Sequence, residues 1–116
     1  MTLSELTSLL FQEINFNLPG EKAHELMAPY KREKASSINI PDKNPKQSAV
    51  LMLIYPKNDI PHFTLIQRTA YEGTHGGQIS FPGGKQEAEE SLKETALRET
   101  FEEIGVAPDK IQVLGE

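Results

Sequence analysis

Glu99, Glu102 and Glu103 fall at i, i+3 and i+4 of the segment Ser91-Leu-Lys-Glu-Thr-Ala-Leu-Arg98-Glu99-Thr100-Phe101-Glu102-Glu103-Ile104. On a helix these positions are neighbours, and like charges there repel by about 0.2–0.5 kcal/mol per pair. No Lys or Arg stands at 95 or 106 to relieve them. A helix that accepts this penalty is suited to holding hard cations such as Mg²⁺ or Mn²⁺, which take carboxylate and phosphate oxygens together. The bland alternative is a solvated acidic helix face.

The remaining chemistry-bearing residues are sparse. The 116 residues contain no Cys, which excludes disulfides, thiolate metal sites and a Cys nucleophile. A net charge of −5 and a pI near 5.2 argue against a nucleic-acid groove, which needs a basic stripe. No basic segment followed by an apolar run opens the chain, and the longest apolar run, Ala49 to Tyr55, is too short to span a bilayer. A soluble cytoplasmic protein with one domain and no membrane partner is the expectation.

The elements that must position the carboxylates follow from pattern. The motif helix is expected over about 89–104, with Leu97, Phe101 and Ile104 turned to the core and the carboxylates turned away; Gly105 suits the position just past its end. Ala49 to Tyr55 reads as a strand buried on both faces, Pro56 to Asp59 as a turn, and His62 to Arg68 as its antiparallel partner. Gly73, Gly76, Gly77 and Pro82-Gly83-Gly84 mark a loop region with one short strand near Gln78 to Phe81, and Lys110 to Glu116 reads as a last strand. Upstream, Thr2 and Glu5 form a capping box ahead of an amphipathic helix over 3–14, carrying Leu3, Leu6, Leu10 and Ile14. A short helix over about 21–28 follows, with Ala23, Leu26 and Met27 on one side, ending before Pro29. Residues 30–47 are polar and read as a loop, with a brief extended piece around Ile38 to Ile40.

Seven residues, Gly84, Glu90, Arg98, Glu99, Glu102, Glu103 and Gly105, fit the pattern Gly-x5-Glu-x7-Arg-Glu-U-x-Glu-Glu-x-Gly-U, with U bulky and apolar. The chain thereby resembles the Nudix hydrolases. A chance match at all seven offsets is on the order of one in 10⁸ per window. Thr100 stands at the first U position with a β-branched, Val-like shape, and Val106 conforms at the second.

The resemblance implies a Nudix-type α/β/α sandwich with a mixed sheet. It also implies hydrolysis of a pyrophosphate bond in a nucleoside diphosphate derivative, with water as the nucleophile. It makes Glu99, Glu102, Glu103 and the carbonyl of Gly84 the ligands of Mg²⁺ or Mn²⁺, neutralising phosphate charge that an acidic protein could not otherwise accept. Arg98 then orients the neighbouring glutamate, with Glu90 in support near the helix start; the bland reading of Arg98 is an i,i+4 surface pair with Glu94. The general base is a glutamate of this helix in some relatives and a residue of a later loop in others.

A second segment, Leu65-Ile-Gln-Arg68-Thr69 with His75-Gly-Gly77-Gln78-Ile-Ser-Phe81-Pro82-Gly83-Gly84, resembles the stretch preceding this motif in the coenzyme A pyrophosphatase subfamily. That subfamily typically reads Leu-Leu-x-x-Arg-Ser, then Leu-Arg-x-His-x-Gly-Gln-x-x-Phe-Pro-Gly-Gly. Here Glu72 and Gly73 stand in place of Leu and Arg, and Thr69 in place of Ser. The resemblance points to Arg68, His75 and Gln78 as contacts for a small-molecule nucleotide substrate, coenzyme A or an acyl derivative. Alternatives are a hydrolase of (deoxy)nucleoside triphosphates or ADP-ribose and, in another class, a non-catalytic Nudix-like binding module. His24 and His62 read as structural or exposed, and Lys31, Arg32 and Lys34 as a solvated basic loop.

One domain is expected over 1–116, with N-terminal helices over 1–29, a loop over 30–47 and an incomplete Nudix core over 48–116. Only about ten residues follow Val106, so the core is expected to be cut short after the helix and one strand. An open sheet face or edge would then be completed by further chain or by another copy in a homodimer.

Overall fold

A computed structural model describes residues 1–16, 18–28, 45–69 and 76–116. The element order is helix α1 (Leu3–Phe16), helix α2 (Glu21–Met27), strands β1 (Ser48–Val50), β2 (Ile54–Lys57), β3 (Ile60–Phe63), β4 (Ile66–Gln67), β5 (Ile79–Ser80) and β6 (Gly83–Lys85), helix α3 (Leu92–Ile104), and a 3₁₀ turn at Pro108–Lys110. The α/β class expected from the sequence holds. The strands form three two-stranded antiparallel ladders, β1 with β6, β2 with β3 and β4 with β5, and no parallel pair occurs among the described residues. Helix α3 packs across β1 and β6, which makes that ladder the floor of the motif helix.

The expected strand over 49–55 is broken in two. The Leu53 N–H donates back to the Leu51 carbonyl at 3.1 Å, a tight i to i+2 turn that bends the chain between β1 and β2. Its side chains alternate, with Ala49, Leu51 and Leu53 half-buried and Val50 and Met52 exposed, so among the described residues the strand is covered on one face instead of both. Val50 is 60% exposed.

The hairpin turn is two residues long, at Asn58 and Asp59 with φ of 51° and 61°, so Pro56 and Lys57 belong to β2. A primed turn of this kind needs positive φ at both positions, which Asn and Asp tolerate better than most residues. The expected partner over 62–68 also divides. Its first part pairs with β2, and Ile66 and Gln67 pair with Ser80 and Ile79.

Gly83 and Gly84, read from the sequence as loop, are ladder residues opposite Val50 and Ala49. Leu51 N–H to the Pro82 carbonyl (2.8 Å) and Gln86 N–H to the Gln47 carbonyl (3.0 Å) extend this ladder at both ends. The predicted last strand over 110–116 is corrected: Pro108 opens a 3₁₀ turn, and Ile111 to Glu116 have no regular structure.

At the N-terminus the capping box forms as expected, Thr2 N–H donating to Glu5 Oε2 (2.7 Å) and Glu5 N–H to Thr2 Oγ1 (3.3 Å). Leu3, Leu6, Leu10 and Ile14 share the half-buried stripe of α1. Ile14 lies so close to Gly115 that a Cβ there would collide with it, which ties α1 to the end of the chain. The extended piece at Ile38 to Ile40 and the basic residues Lys31, Arg32 and Lys34 lie outside the described residues. Among the described residues, no helix is long and apolar enough to cross a membrane.

Candidate active site

Helix α3 starts at Leu92, three residues later than the pattern suggests, because Ser91 caps it. Ser91 Oγ accepts the Glu94 N–H at 3.2 Å while Glu94 Oε2 accepts the Ser91 N–H at 2.7 Å, a complete capping box. Such a cap contributes about 1 kcal/mol. It also engages the Glu94 carboxylate, whose pKa is lowered mainly by those bonds from Ser91. At the other end Gly105 takes φ 74°, the left-handed conformation expected of it, and its N–H reaches the Phe101 carbonyl at 2.9 Å.

The buried face of α3 differs from the expected Leu97, Phe101 and Ile104. Thr95, Ala96 and Thr100 are its buried residues, and Phe101 is 51% exposed. Small side chains let the helix lie close on β1 and β6, where a Phe would hold them apart. Thr100, at the position where the pattern has an aliphatic, is fully buried and donates to the Ala96 carbonyl at 2.7 Å. Its hydroxyl is therefore satisfied at no cost to packing.

The glycine strand meets the helix carboxylates. Gly83 N–H donates to Glu103 Oε2 at 2.9 Å. A Cβ at Gly83, where φ is 150°, would collide with the backbone of Ala49 and Val50, and a Cβ at Gly84 would run into the carboxylate of Glu99. Only glycine at 84 lets the backbone approach Glu99 this closely.

Arg98 is the centre of the polar network. Its Nε donates to Glu90 Oε1 at 2.5 Å and its Nη2 to Glu90 Oε2 at 3.2 Å, a two-pronged pairing. Nη1 donates to Glu99 Oε1 at 3.1 Å and to Glu102 Oε1 at 3.3 Å, and Nη2 also reaches the Lys85 carbonyl at 3.1 Å. The repulsion expected among the carboxylates is thus relieved by Arg98, which stands i−4 to Glu102 and beside Glu99, and not from positions 95 or 106. The surface pair with Glu94 does not form, since Glu94 serves the cap. Glu90 also accepts from Thr95 Oγ1 at 3.0 Å and from the Glu87 N–H at 3.2 Å. These donors, Arg98 foremost, hold the Glu90 carboxyl at a pKa of about 2, and the same glutamates push the Arg98 pKa upward.

The donor set fits a hard divalent cation: carboxylate oxygens on Glu99, Glu102 and Glu103 beside a glycine whose missing Cβ leaves the backbone against Glu99. Among the described residues, no three acidic or His side chains are gathered into a ligating group. Glu102 leans on Arg98 and Glu103 on Gly83, so ligation requires side-chain rotation.

Of the residues assigned to substrate, Arg68 and Gln78 are brought together, the Arg68 N–H donating to the Gln78 carbonyl at 3.0 Å at the end of the β4–β5 ladder. His75 lies outside the described residues, as do Glu72 and Gly73. Three contributors escaped the sequence reading. Gly83 was legible only as part of a glycine loop; Thr95 and Gln86, whose Nε2 donates to the Glu90 carbonyl at 2.5 Å, carry no motif signal at all.

Residues 45–116 match the model of the NUDIX domain. The chain is 31% identical over 99 residues to Nudix hydrolase 3 of Caenorhabditis elegans, covering 85% of this chain and 36% of that protein. It is 42% identical over 71 residues to an uncharacterized Nudix hydrolase NudL of Pectobacterium atrosepticum, covering 60% of this chain and 36% of that protein. With the uncharacterized NudL of Klebsiella aerogenes it shares 37% over 76 residues, 65% of this chain and 62% of that protein. The chain thus spans little more than a third of the length of the first two relatives. No solved structure matches it closely enough to count as a relative.

Proposed function

The chain belongs to the Nudix family, and on that premise we propose that the protein carrying it hydrolyses the pyrophosphate bond of a nucleoside diphosphate derivative, most specifically coenzyme A or an acyl-coenzyme A. The observation that carries this reading is the contact between the Gly83–Gly84 backbone and Glu99 and Glu103, organised by Arg98. Glu99, Glu102, Glu103 and the Gly84 carbonyl are the groups that would hold Mg²⁺ or Mn²⁺. When bound, such a cation supplies phosphate-charge neutralisation and water activation.

The chain's own residues do the positioning. Arg98 aims Glu99 and Glu102 along one side of the helix, and Glu90 fixes Arg98. Glu103, held by the Gly83 N–H, brings a carboxylate to the β6 end of the site, where a glutamate of this helix can take a proton from the attacking water. Arg68 and Gln78 are assigned to substrate on the strength of their sequence segment, together with His75. Coenzyme A chemistry rests on that segment alone; the departure at Glu72-Gly73 favours ADP-ribose or a nucleoside triphosphate as the second reading.

The test incubates the whole protein with coenzyme A, ADP-ribose and nucleoside triphosphates, with and without Mg²⁺, and identifies products by mass. Release of 4′-phosphopantetheine and adenosine 3′,5′-bisphosphate supports the first reading. A kcat/KM far higher for ADP-ribose or a triphosphate replaces it with the second. Binding without turnover of any of them would leave only the non-catalytic module.

A further inference from the structure

Thr95 is not among the seven motif positions, yet it is fully buried and its hydroxyl lies 3.0 Å from two acceptors, Glu90 Oε2 and the Ser91 carbonyl. A hydroxyl has one proton to give. The Ser91 carbonyl already accepts the Thr95 N–H at 3.0 Å, whereas Glu90 is ionised and is the stronger acceptor. We infer that Thr95 is a positioning residue: its hydroxyl fixes the rotation of the Glu90 carboxylate so that both oxygens face Arg98, and through Arg98 it sets the directions of Glu99 and Glu102.

The geometry leaves little slack for the arrangement to form otherwise. Glu90 precedes the helix, and its carboxylate must meet Nε and Nη2 of one guanidinium at once. A two-pronged pairing tolerates little rotation. Glu87 N–H and Thr95 Oγ1 both donate to Oε2, one from the turn before the helix and one from its buried face. Thr95 is the one anchored in the helix that also carries Arg98. Removing the hydroxyl while keeping the shape leaves the carboxylate held by the Glu87 N–H and Arg98 alone, so Glu90 turns more readily, and Arg98 with it.

The inference rests on the proposed function only where metal is concerned, so its test begins without metal. In the full chain, solvent exchange of the Arg98 Nε–H is followed by NMR in the wild type, T95V and T95S. A hydrogen bond to a charged group is worth enough to change such an opening equilibrium by about tenfold. The expected result is exchange about tenfold faster in T95V, with the backbone amide spectrum of α3 retained, and wild-type exchange in T95S. Unchanged exchange in T95V overturns the inference, as does T95S exchanging as fast as T95V, which would make the methyl group the important part. Should T95V not fold, T95C keeps similar size with a weaker donor and is read the same way. Titration with Mn²⁺ alone then separates the two claims. Affinity weakened several-fold in T95V and restored in T95S supports the positioning role. A wild-type chain that binds no Mn²⁺ overturns the proposed function, and the role of Thr95 in it.

Discussion

The segment from Gly83 to Gly105 and the first 28 residues both build capped helices, yet they differ in what surrounds them. Around α3 the helix buries Thr95, Ala96 and Thr100 against β1 and β6, and the charged groups of Glu90, Arg98 and Glu99 are interlocked. Helix α1 has an equally complete capping box but no buried residue, and Phe16 and Leu26 in the N-terminal helices are 82% and 85% exposed. A cap and an apolar stripe are enough to start a helix, but only close packing against a second element fixes side chains to the tolerance that chemistry needs. In this chain that packing is concentrated where the motif lies.

The sharpest way to break the comparison is at the carboxylates. Glu103→Gln or Glu102→Gln should lower turnover of the whole protein by at least on the order of 10²-fold with saturating substrate and Mg²⁺. Folding should be retained, because a Gln oxygen at 103 still accepts the Gly83 N–H. Full activity in both variants would show that the interlocked region is merely a stable helix.

Next in size are the glycines. Gly84→Ala places a Cβ in the Glu99 carboxylate and Gly83→Ala places one in the backbone of Ala49 and Val50. Each should destabilise by about 1–3 kcal/mol in urea unfolding, the range of overpacking. Gly84→Ala should also weaken Mn²⁺ binding. Wild-type stability in both variants would mean that β6 and α3 are not closely apposed.

Much of this region was legible beforehand, for a physical reason. The Gly105 terminator and the i,i+3,i+4 carboxylates are local, and local spacing is what a sequence displays; the Ser91 cap is equally local but was not read from it. The missed features depend on distant partners. Phe101 was read as core and is exposed, because the helix meets a glycine strand that admits only small side chains. Of the two readings of Arg98, the surface pair with Glu94 gives way to pairing with Glu90 and Glu99, because Ser91 engages Glu94. The strand over 49–55 was read as buried on both faces, but composition alone does not reveal that only one face is covered among the described residues. Ile111 to Glu116 weakly alternate, yet among the described residues no strand pairs with them.

A smaller effect is expected from pH. The Glu90 pKa falls from an ordinary 4.5 to about 2 in the fold. The unfolded chain therefore binds that proton first, and the stability Glu90 contributes is present above about 4.5 and lost as pH falls towards about 2. Unfolding midpoints across this window should decline more steeply in the wild type than in Glu90→Gln. Parallel curves for the two would remove Glu90 from its place in the network.

The smallest effect belongs to the N-terminal helices. Phe16→Ser and Leu26→Ser should each change stability by no more than about 0.5 kcal/mol, as exposed positions do. A loss of several kcal/mol in either would reveal that these side chains are covered in solution, and the contrast between the two regions would disappear.

The proposed metal site lies where β6 meets α3. Adding substoichiometric Mn²⁺ to the ¹⁵N-labelled chain tests it directly, since the ion broadens amide signals only near where it binds. The Gly83, Gly84, Glu99, Glu102 and Glu103 signals are expected to be lost first, with those of α1 and of the Asn58–Asp59 turn unaffected, and to recover in Glu103→Gln. Broadening centred on any other acidic group, or none at the Gly84 strand, would contradict it.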